Sequence, residues 1–320
     1  MRAFDLTYAP VLLGLLLSAN LFAGEPPKDT PVDAPLPPAL IEGAKLETIY
    51  VEKGTFFEGP TWDFATKKLY FCAFRSFKNK IEHIMRLDEA GDPGKATIWQ
   101  EKTGGSNGIY NAADGGLLVA QSYEHKIFHF NVGPDGPLEP KLLLDDQTLN
   151  QPNDVVEAPN GNIYFTDPEF KTHKSAVFVT LKGGTTKKIA EDIETPNGIG
   201  VSPDGKSLYV GNSFGKNWRV YPINADGTLG LGRIFACPKG RNDSDPDGLR
   251  VDENGNVWCT GLGGVWCFAP DGKTLGFLPV PEFCSNLTFG GEDNKTLFIT
   301  CSGKLYAVKT KVRGAWMAGK

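Results

Sequence analysis

Six residues with oxygen-bearing side chains recur along the chain: Glu58, Asn107, Asn153, Asn197, Asp247 and Asn286. Successive members lie 49, 46, 44, 50 and 39 residues apart. Two are carboxylates, four are amides, and none is Cys or His. Brought together, they would form a set of hard oxygen donors carrying little formal charge. Such a set suits Ca²⁺, which takes roughly six to eight oxygens and accepts amide carbonyls. Zinc would favour imidazole or thiolate, and His83, His125, His129 and His173 all fall elsewhere in the pattern. The competing reading is that the Asn-Gly and Asp-Gly pairs at these positions are simply turns. Against it, each pair precedes a strand-like run, a separate turn signal follows roughly six to ten residues later, and Glu58 before Gly-Pro is not a typical turn residue.

The elements that would position these residues are visible as a repeat. Each copy opens on one of the six, runs through a few apolar residues and a polar turn, and ends in a short apolar strand. Examples are EGPTWDFATKKLYFCA from Glu58, NDVVEAPNGNIYFTD from Asn153 and DGLRVDENGNVWCTG from Asp247. Further hairpin signals fill the gaps, as in WRVYPINADGTLGLGRIF. Each unit of about 46 residues therefore holds about four strands. This predicts an all-β fold, a six-bladed β-propeller over residues 46–310. A β-sandwich or two β-domains would not require six in-phase repeats. The last repeat is one strand short, and LETIYVEK (Leu46 to Lys53) is expected to supply the missing outer strand and close the ring. Innermost strands line a propeller's channel, so the six repeat-opening residues should converge on its axis.

Composition narrows the partners. With 33 Lys+Arg against 38 Asp+Glu, the net charge is −5, which argues against nucleic acid or an anionic membrane surface as the main partner. The 38 glycines and 20 phenylalanines suit many short strands joined by tight turns. Residues 1–23 read as a signal peptide: Ala9 to Ala23 is mostly apolar but short for a membrane span. The chain is thus expected to be exported, periplasmic or secreted. Residues 24–45 read as a Pro-rich linker and 311–320 as a short basic tail exposed to solvent. Export permits disulfides, yet no CxxC occurs. Buried core thiols are the expectation, with a Cys259–Cys267 bridge across one hairpin as the main exception.

Two familiar motifs are discounted on context. GNSFG (Gly211 to Gly215) fits a serine-nucleophile pattern that needs a strand-to-helix elbow, but it lies between two strand-like runs. GVSPDGKS (Gly200 to Ser207) has phosphate-loop spacing but runs into the strand SLYV rather than a helix.

EGP at Glu58, PND at Asn153, PNGIGVSPDGKSLYV at Asn197 and PDGLRVDENGNVW at Asp247 occur together in this order. Through them the chain resembles the SMP-30/gluconolactonase family of regucalcin-like lactonases, from about residue 45 to 310. The resemblance implies a six-bladed propeller with one divalent cation, commonly Ca²⁺ (Mg²⁺, Mn²⁺ or Zn²⁺ being alternatives), in its channel. It implies Glu58, Asn197 and Asp247 as cation ligands. Asn153 would complete the cation shell or contact substrate, and Asp247 would also be the general base. The implied substrate is a small lactone. Asn107 and Gln151 are expected to contact it, with Asp154 either holding Asn153 in place or lying in a solvated turn. Sugar-lactone relatives often carry Arg where this chain has Gln151, which puts a sugar aldonolactone in doubt. Two other functions stay open: a non-catalytic binding propeller with a structural cation, and the same site acting on another ester or an organophosphate.

Overall fold

The computed structural model describes residues 34–239 and 244–315. The segment read as a signal peptide lies outside the described residues. Among the described residues there are strands but no helix, and so none long and apolar enough to cross a membrane. In chain order the strands are β1 (Glu47–Asp63), β2 (Lys68–Ser76), β3 (Ile81–Glu89) and β4 (Lys95–Glu101). Then come β5 (Ser106–Asn111), β6 (Leu117–Gln121), β7 (Lys126–Gly133), β8 (Gly136–Asp145), β9 (Val155–Glu157), β10 (Ile163–Asp167), β11 (Ala176–Thr180) and β12 (Thr186–Ala190). They are followed by β13 (Pro196–Val201), β14 (Ser207–Asn212), β15 (Asn217–Pro222), β16 (Arg233–Ala236), β17 (Leu249–Val251), β18 (Val257–Gly261), β19 (Gly264–Phe268) and β20 (Thr274–Pro279). The last two are β21 (Cys284–Gly290) and β22 (Thr296–Lys309).

The result is an all-β propeller, but the expected six four-stranded blades are corrected. Among the described residues there are five sheets: four antiparallel sheets of four strands, and one of six ordered β21-β22-β1-β2-β3-β4. The reason is that the two longest strands each serve two neighbours. The first part of β1, Glu47 to Val51, pairs with Ala307 to Lys304 of β22, whereas Phe56 to Asp63 pairs with β2. The first part of β22 pairs with β21. Hydrogen bonding is therefore continuous from the last repeat into the first, and the two merge. The strands that open the six repeats still form a closed ring: β1, β5, β9, β13, β17 and β21 touch in chain order, and β21 touches β1.

Alternation explains the core. In β18 and β19, Cys259 faces Trp266 and Trp258 faces Cys267 across the ladder. Successive side chains point to opposite faces of the sheet, so one face packs Trp258 and Cys267 with Leu287, Leu297 and Ile299 of the six-stranded sheet. The other packs Cys259 and Trp266 with Tyr209 and Trp218 of the preceding sheet. Burying each large apolar side chain contributes about 1.5–3 kcal/mol. This geometry also sets Cys259 and Cys267 on opposite faces; all six cysteines are free, and only Cys237 is exposed. The thiols that do meet are Cys284 and Cys301, cross-strand partners with sulfurs 3.5 Å apart.

Part of the stretch read as a linker is docked. Pro35 O accepts from Phe277 N at 2.8 Å, Ala39 O accepts from Lys311 N at 2.7 Å, and Leu40 is buried. A proline-rich segment has few N–H groups, but its carbonyls can satisfy the open edge of β20. The stretch from Val312 also folds back: Ala315 N donates to Val251 O at 2.9 Å, and Glu253 N to Arg313 O at 2.8 Å.

Candidate functional site in the central cleft

The glycines after the repeat-opening residues are explained by crowding at the axis rather than by turns. Gly198 N donates to Asp247 O at 2.9 Å, and Gly248 N to Ser285 O at 2.7 Å. A Cβ on Gly198 would sit 2.2 Å from Asp247 O, and one on Gly248 2.1 Å from Asn286 Oδ1. Only a residue without a side chain lets neighbouring inner strands approach this closely. At the matching position of the third repeat stands Asp154, and its carboxylate uses the axial space.

Hydroxyls at the ends of second strands fasten the second, third, fourth and fifth repeats each to the next. Ser122 Oγ donates to Pro152 O at 2.7 Å, Thr166 Oγ1 to Asn197 O at 2.7 Å, Ser213 Oγ to Pro246 O at 2.6 Å and Thr260 Oγ1 to Ser285 O at 2.8 Å. Each bond fixes the backbone at or next to a repeat-opening residue. Ser213 thus has a structural partner and lies between two strands, β14 and β15, with no elbow. The segment Gly200 to Ser207 is a hairpin turn with Gly205 at φ +72°.

Glu58, Asn107, Gln151, Asn153, Asn197 and Asp247 line one cleft, together with Phe56, Phe74, Phe77, Ser122, Tyr123 and Phe170. Asp154 and Asn286 lie beside it. Asn286 Nδ2 is 3.0 Å from both Asp154 carboxylate oxygens and 3.3 Å from Glu58 Oε2. Asp154 thus accepts from the Asn286 amide, which also reaches Glu58. No histidine lines the cleft; His129 is held by Asp114 at 2.8 Å and His173 by Thr195 at 2.8 Å.

Among the described residues, three buried oxygens in this cluster have no hydrogen-bond partner: Asn107 Oδ1, Asn197 Oδ1 and Asp247 Oδ1. The orientation of Asn197 is fixed, because its Nδ2 donates to Ser213 Oγ at 3.2 Å while Ser213 donates onward to Pro246 O. Buried polar atoms are rarely left unpaired without a functional reason. The charges are equally unbalanced. Burial, then the charge of Asp154, pushes the Glu58 carboxyl up to about 8. Burial, then Glu58 and Asp154, holds Asp247 far above the usual carboxylate range, and burial raises Asp154. Among the described residues the opposing cation is Arg250, which lowers Glu58 and Asp154. Its guanidinium is bound to Leu249 O at 2.9 Å and Ile109 O at 3.1 Å and lies over Tyr110.

Unpaired acceptors and mutually repelling carboxylates suit a bound positive ion. Among the described residues, no group of three or more His, Cys, Asp and Glu side chains is placed to hold a metal. The donors that converge here are of mixed type, carboxylate and amide.

Sequence reasoning missed Arg250, the hydroxyl fasteners and the aromatic wall. Arg250 could have been noticed as a charge inside the apolar run LRV, and the fasteners as the Ser or Thr in AQS, FTD, GNS and CTG. The aromatic wall comes from loops and separate strands and leaves no periodic trace.

Known proteins bear on this architecture. A gluconolactonase from Zymomonas mobilis is 31% identical over 292 residues, covering 80% of this chain and 79% of the relative. A 6-deoxy-6-sulfogluconolactonase from Pseudomonas putida is 29% identical over 182 residues, covering 56% of this chain and 55% of the relative. Among solved structures, a gluconolactonase from Xanthomonas campestris superposes with a TM-score of 0.72 at 27% identity, covering 88% of this chain and 97% of that one. A regucalcin from Agrobacterium tumefaciens, described as a calcium-binding protein, shares the fold with a TM-score of 0.66 at 21% identity, covering 83% and 97%. The family model described as "SMP-30/Gluconolactonase/LRE-like region" matches residues 56–303, and the chain belongs to that family.

Proposed function

We propose that this protein is a divalent-cation-dependent lactonase. The observation that carries the reading is the set of three unpartnered buried oxygens, on Asn107, Asn197 and Asp247, in one cleft with Glu58. The gluconolactonase relatives supply the reaction class. Glu58, Asn197, Asp247 and Asn153 would hold the cation, and Ca²⁺ suits their mixture of amide and carboxylate oxygens. When bound, such a cation polarises a carbonyl oxygen and offsets negative charge that develops on it.

The chain's own residues would do the rest. Lactone hydrolysis adds water to the ring carbonyl and opens the acyl–oxygen bond. Asp247 is the base, taking a proton from the attacking water, and the same proton then serves the alkoxide of the opened ring. Its unpaired Oδ1 is free for that contact. Asn107, Asn153 and Gln151 orient the lactone oxygens with neutral groups. Asp154, through Asn286, keeps Glu58 in place. Arg250 keeps the carboxylates from excessive mutual repulsion.

A pH-indicator assay on a panel of lactones, with and without chelator, tests the reading. Turnover abolished by chelator and restored by Ca²⁺ or another divalent ion is expected. Absence of turnover with Ca²⁺, Mg²⁺, Mn²⁺ and Zn²⁺ alike would overturn it. The apolar run Ala9 to Ala23 supports an exported enzyme, periplasmic or secreted, acting on a small molecule.

A further inference from the structure

The non-reacting part of the cleft is built from aromatic rings. Phe74 and Phe77 stack with centroids 5.2 Å apart and planes 24° apart. Phe56 adjoins Phe77 at 6.0 Å and Phe283 at 5.9 Å. Phe170, from the loop after β10, and Tyr123, from the turn after β6, line the same space. Tyr123 is pinned because its ring lies on Gly105, where a Cβ would come within 2.5 Å of it.

The polar inventory is short by comparison. Among the described residues neither Lys nor Arg lines the cleft, though Lys80 Nζ lies 5.0 Å over the Tyr123 ring, and the carboxylates lining it are Glu58 and Asp247. Ser122 is committed to Pro152 O and the Asn197 amide nitrogen to Ser213. That leaves the amides of Asn107, Gln151 and Asn153, with the Tyr123 hydroxyl, to meet any further substrate oxygens. A polyhydroxylated lactone would bury hydroxyls with few partners, and unpaired buried polar groups are costly. A flat apolar group would instead meet complementary ring faces.

Building on the lactonase reading, we infer that the substrate is a lactone carrying an aromatic or aryl-fused portion, held against Phe56, Phe74, Phe77, Tyr123 and Phe170. The test compares dihydrocoumarin, an aryl-fused lactone, with gluconolactone on the purified cation-loaded full chain. The expected kcat/KM ratio favours dihydrocoumarin by roughly tenfold or more, the scale on which apolar pockets discriminate. Phe77→Ala should lower kcat/KM for dihydrocoumarin roughly tenfold, chiefly through KM, and lower the gluconolactone value less. Phe170→Ala serves the same purpose should the first variant fold poorly. Gluconolactone turned over as well as or better than dihydrocoumarin would overturn the inference while leaving the lactonase reading intact. Equal losses on both substrates in both variants would do the same. Hydrolysis of neither lactone would overturn this inference, and absence of turnover across the whole lactone panel would overturn the lactonase reading as well.

Discussion

Asp247 and Asp252 flank a single three-residue inner strand, β17, and both are buried. Their surroundings are opposite. Asp252 is saturated: Oδ1 accepts from Asn254 N and Asn256 N, each at 2.9 Å, and Oδ2 from Asn256 Nδ2 at 2.9 Å and Trp258 Nε1 at 3.0 Å. Asp247 has an oxygen with no partner and two repelling carboxylates nearby. The same residue type thus completes the fold at one end of the strand and remains available at the other. A satisfied carboxylate holds a hairpin together, whereas the one at the axis keeps an unpartnered oxygen, as residues that do chemistry often do.

Substitutions should separate these two roles, most sharply at Asp247. Asp247→Asn should cost about 10²- to 10⁴-fold in kcat, the usual worth of a general base. Its thermal unfolding without divalent cation should change little, because the amide matches the carboxyl in size and carries no charge for Glu58 and Asp154 to repel. Unchanged turnover would remove Asp247 from the chemistry. Cation retained with activity lost would mark it as a base, whereas cation lost would mark it chiefly as a ligand.

At the other end of the strand, Asp252→Ala strands four donors. Urea unfolding should show a loss of about 2–4 kcal/mol, while turnover per folded molecule stays close to wild type. A large drop in specific activity without destabilisation would reverse the assignment.

Asp167 combines both situations. Burial pushes it up to about 6 although it accepts Asn150 N at 2.9 Å and Gln151 N at 2.7 Å. Because its folded pKa lies above the unfolded value near 3.8, its contribution to stability is fully present below about pH 4 and is lost as pH rises through 6. The change amounts to about 2–3 kcal/mol. The urea midpoint of the wild type should therefore fall relative to that of Asp167→Asn as pH rises from about 4 through 6. A parallel pair of curves would show that the group does not titrate in this window.

The smallest effect is expected at a fastener. Thr260→Val removes hydroxyl bonds to Gly248 O at 3.1 Å and Ser285 O at 2.8 Å, costing about 1–2 kcal/mol. A modest rise in KM should accompany it, since those carbonyls flank Asp247 and Asn286. A loss above that of Asp252→Ala would mean that the clamp, not the saturated turn, dominates this repeat.

Much of this was legible because each repeat announces itself locally. The period, the hairpin turns and the oxygen-bearing openers can be read without knowing any long-range contact. The strand from Leu46 was also legible, as a repeat one strand short. What escaped was decided by neighbours distant in sequence. The fusion of the first and last repeats depends on how far β1 and β22 run on past their own hairpins. The opposition of Cys284 to Cys301 depends on the β21–β22 register. Arg250 reaches Ile109 O across 141 residues. Asp154 was readable as a site neighbour, but its partner Asn286 lies 132 residues away, so the brace it forms could not be assigned.

Calorimetric titration of Ca²⁺ into chelator-stripped protein probes the axial donor set most directly. One ion per chain is expected for the wild type and for Asp252→Asn, with affinity reduced at least about tenfold in both Asp247→Ala and Asn197→Ala. No binding by the folded wild type, or undiminished binding by both axial variants, would contradict a cation held by Glu58, Asn153, Asn197 and Asp247.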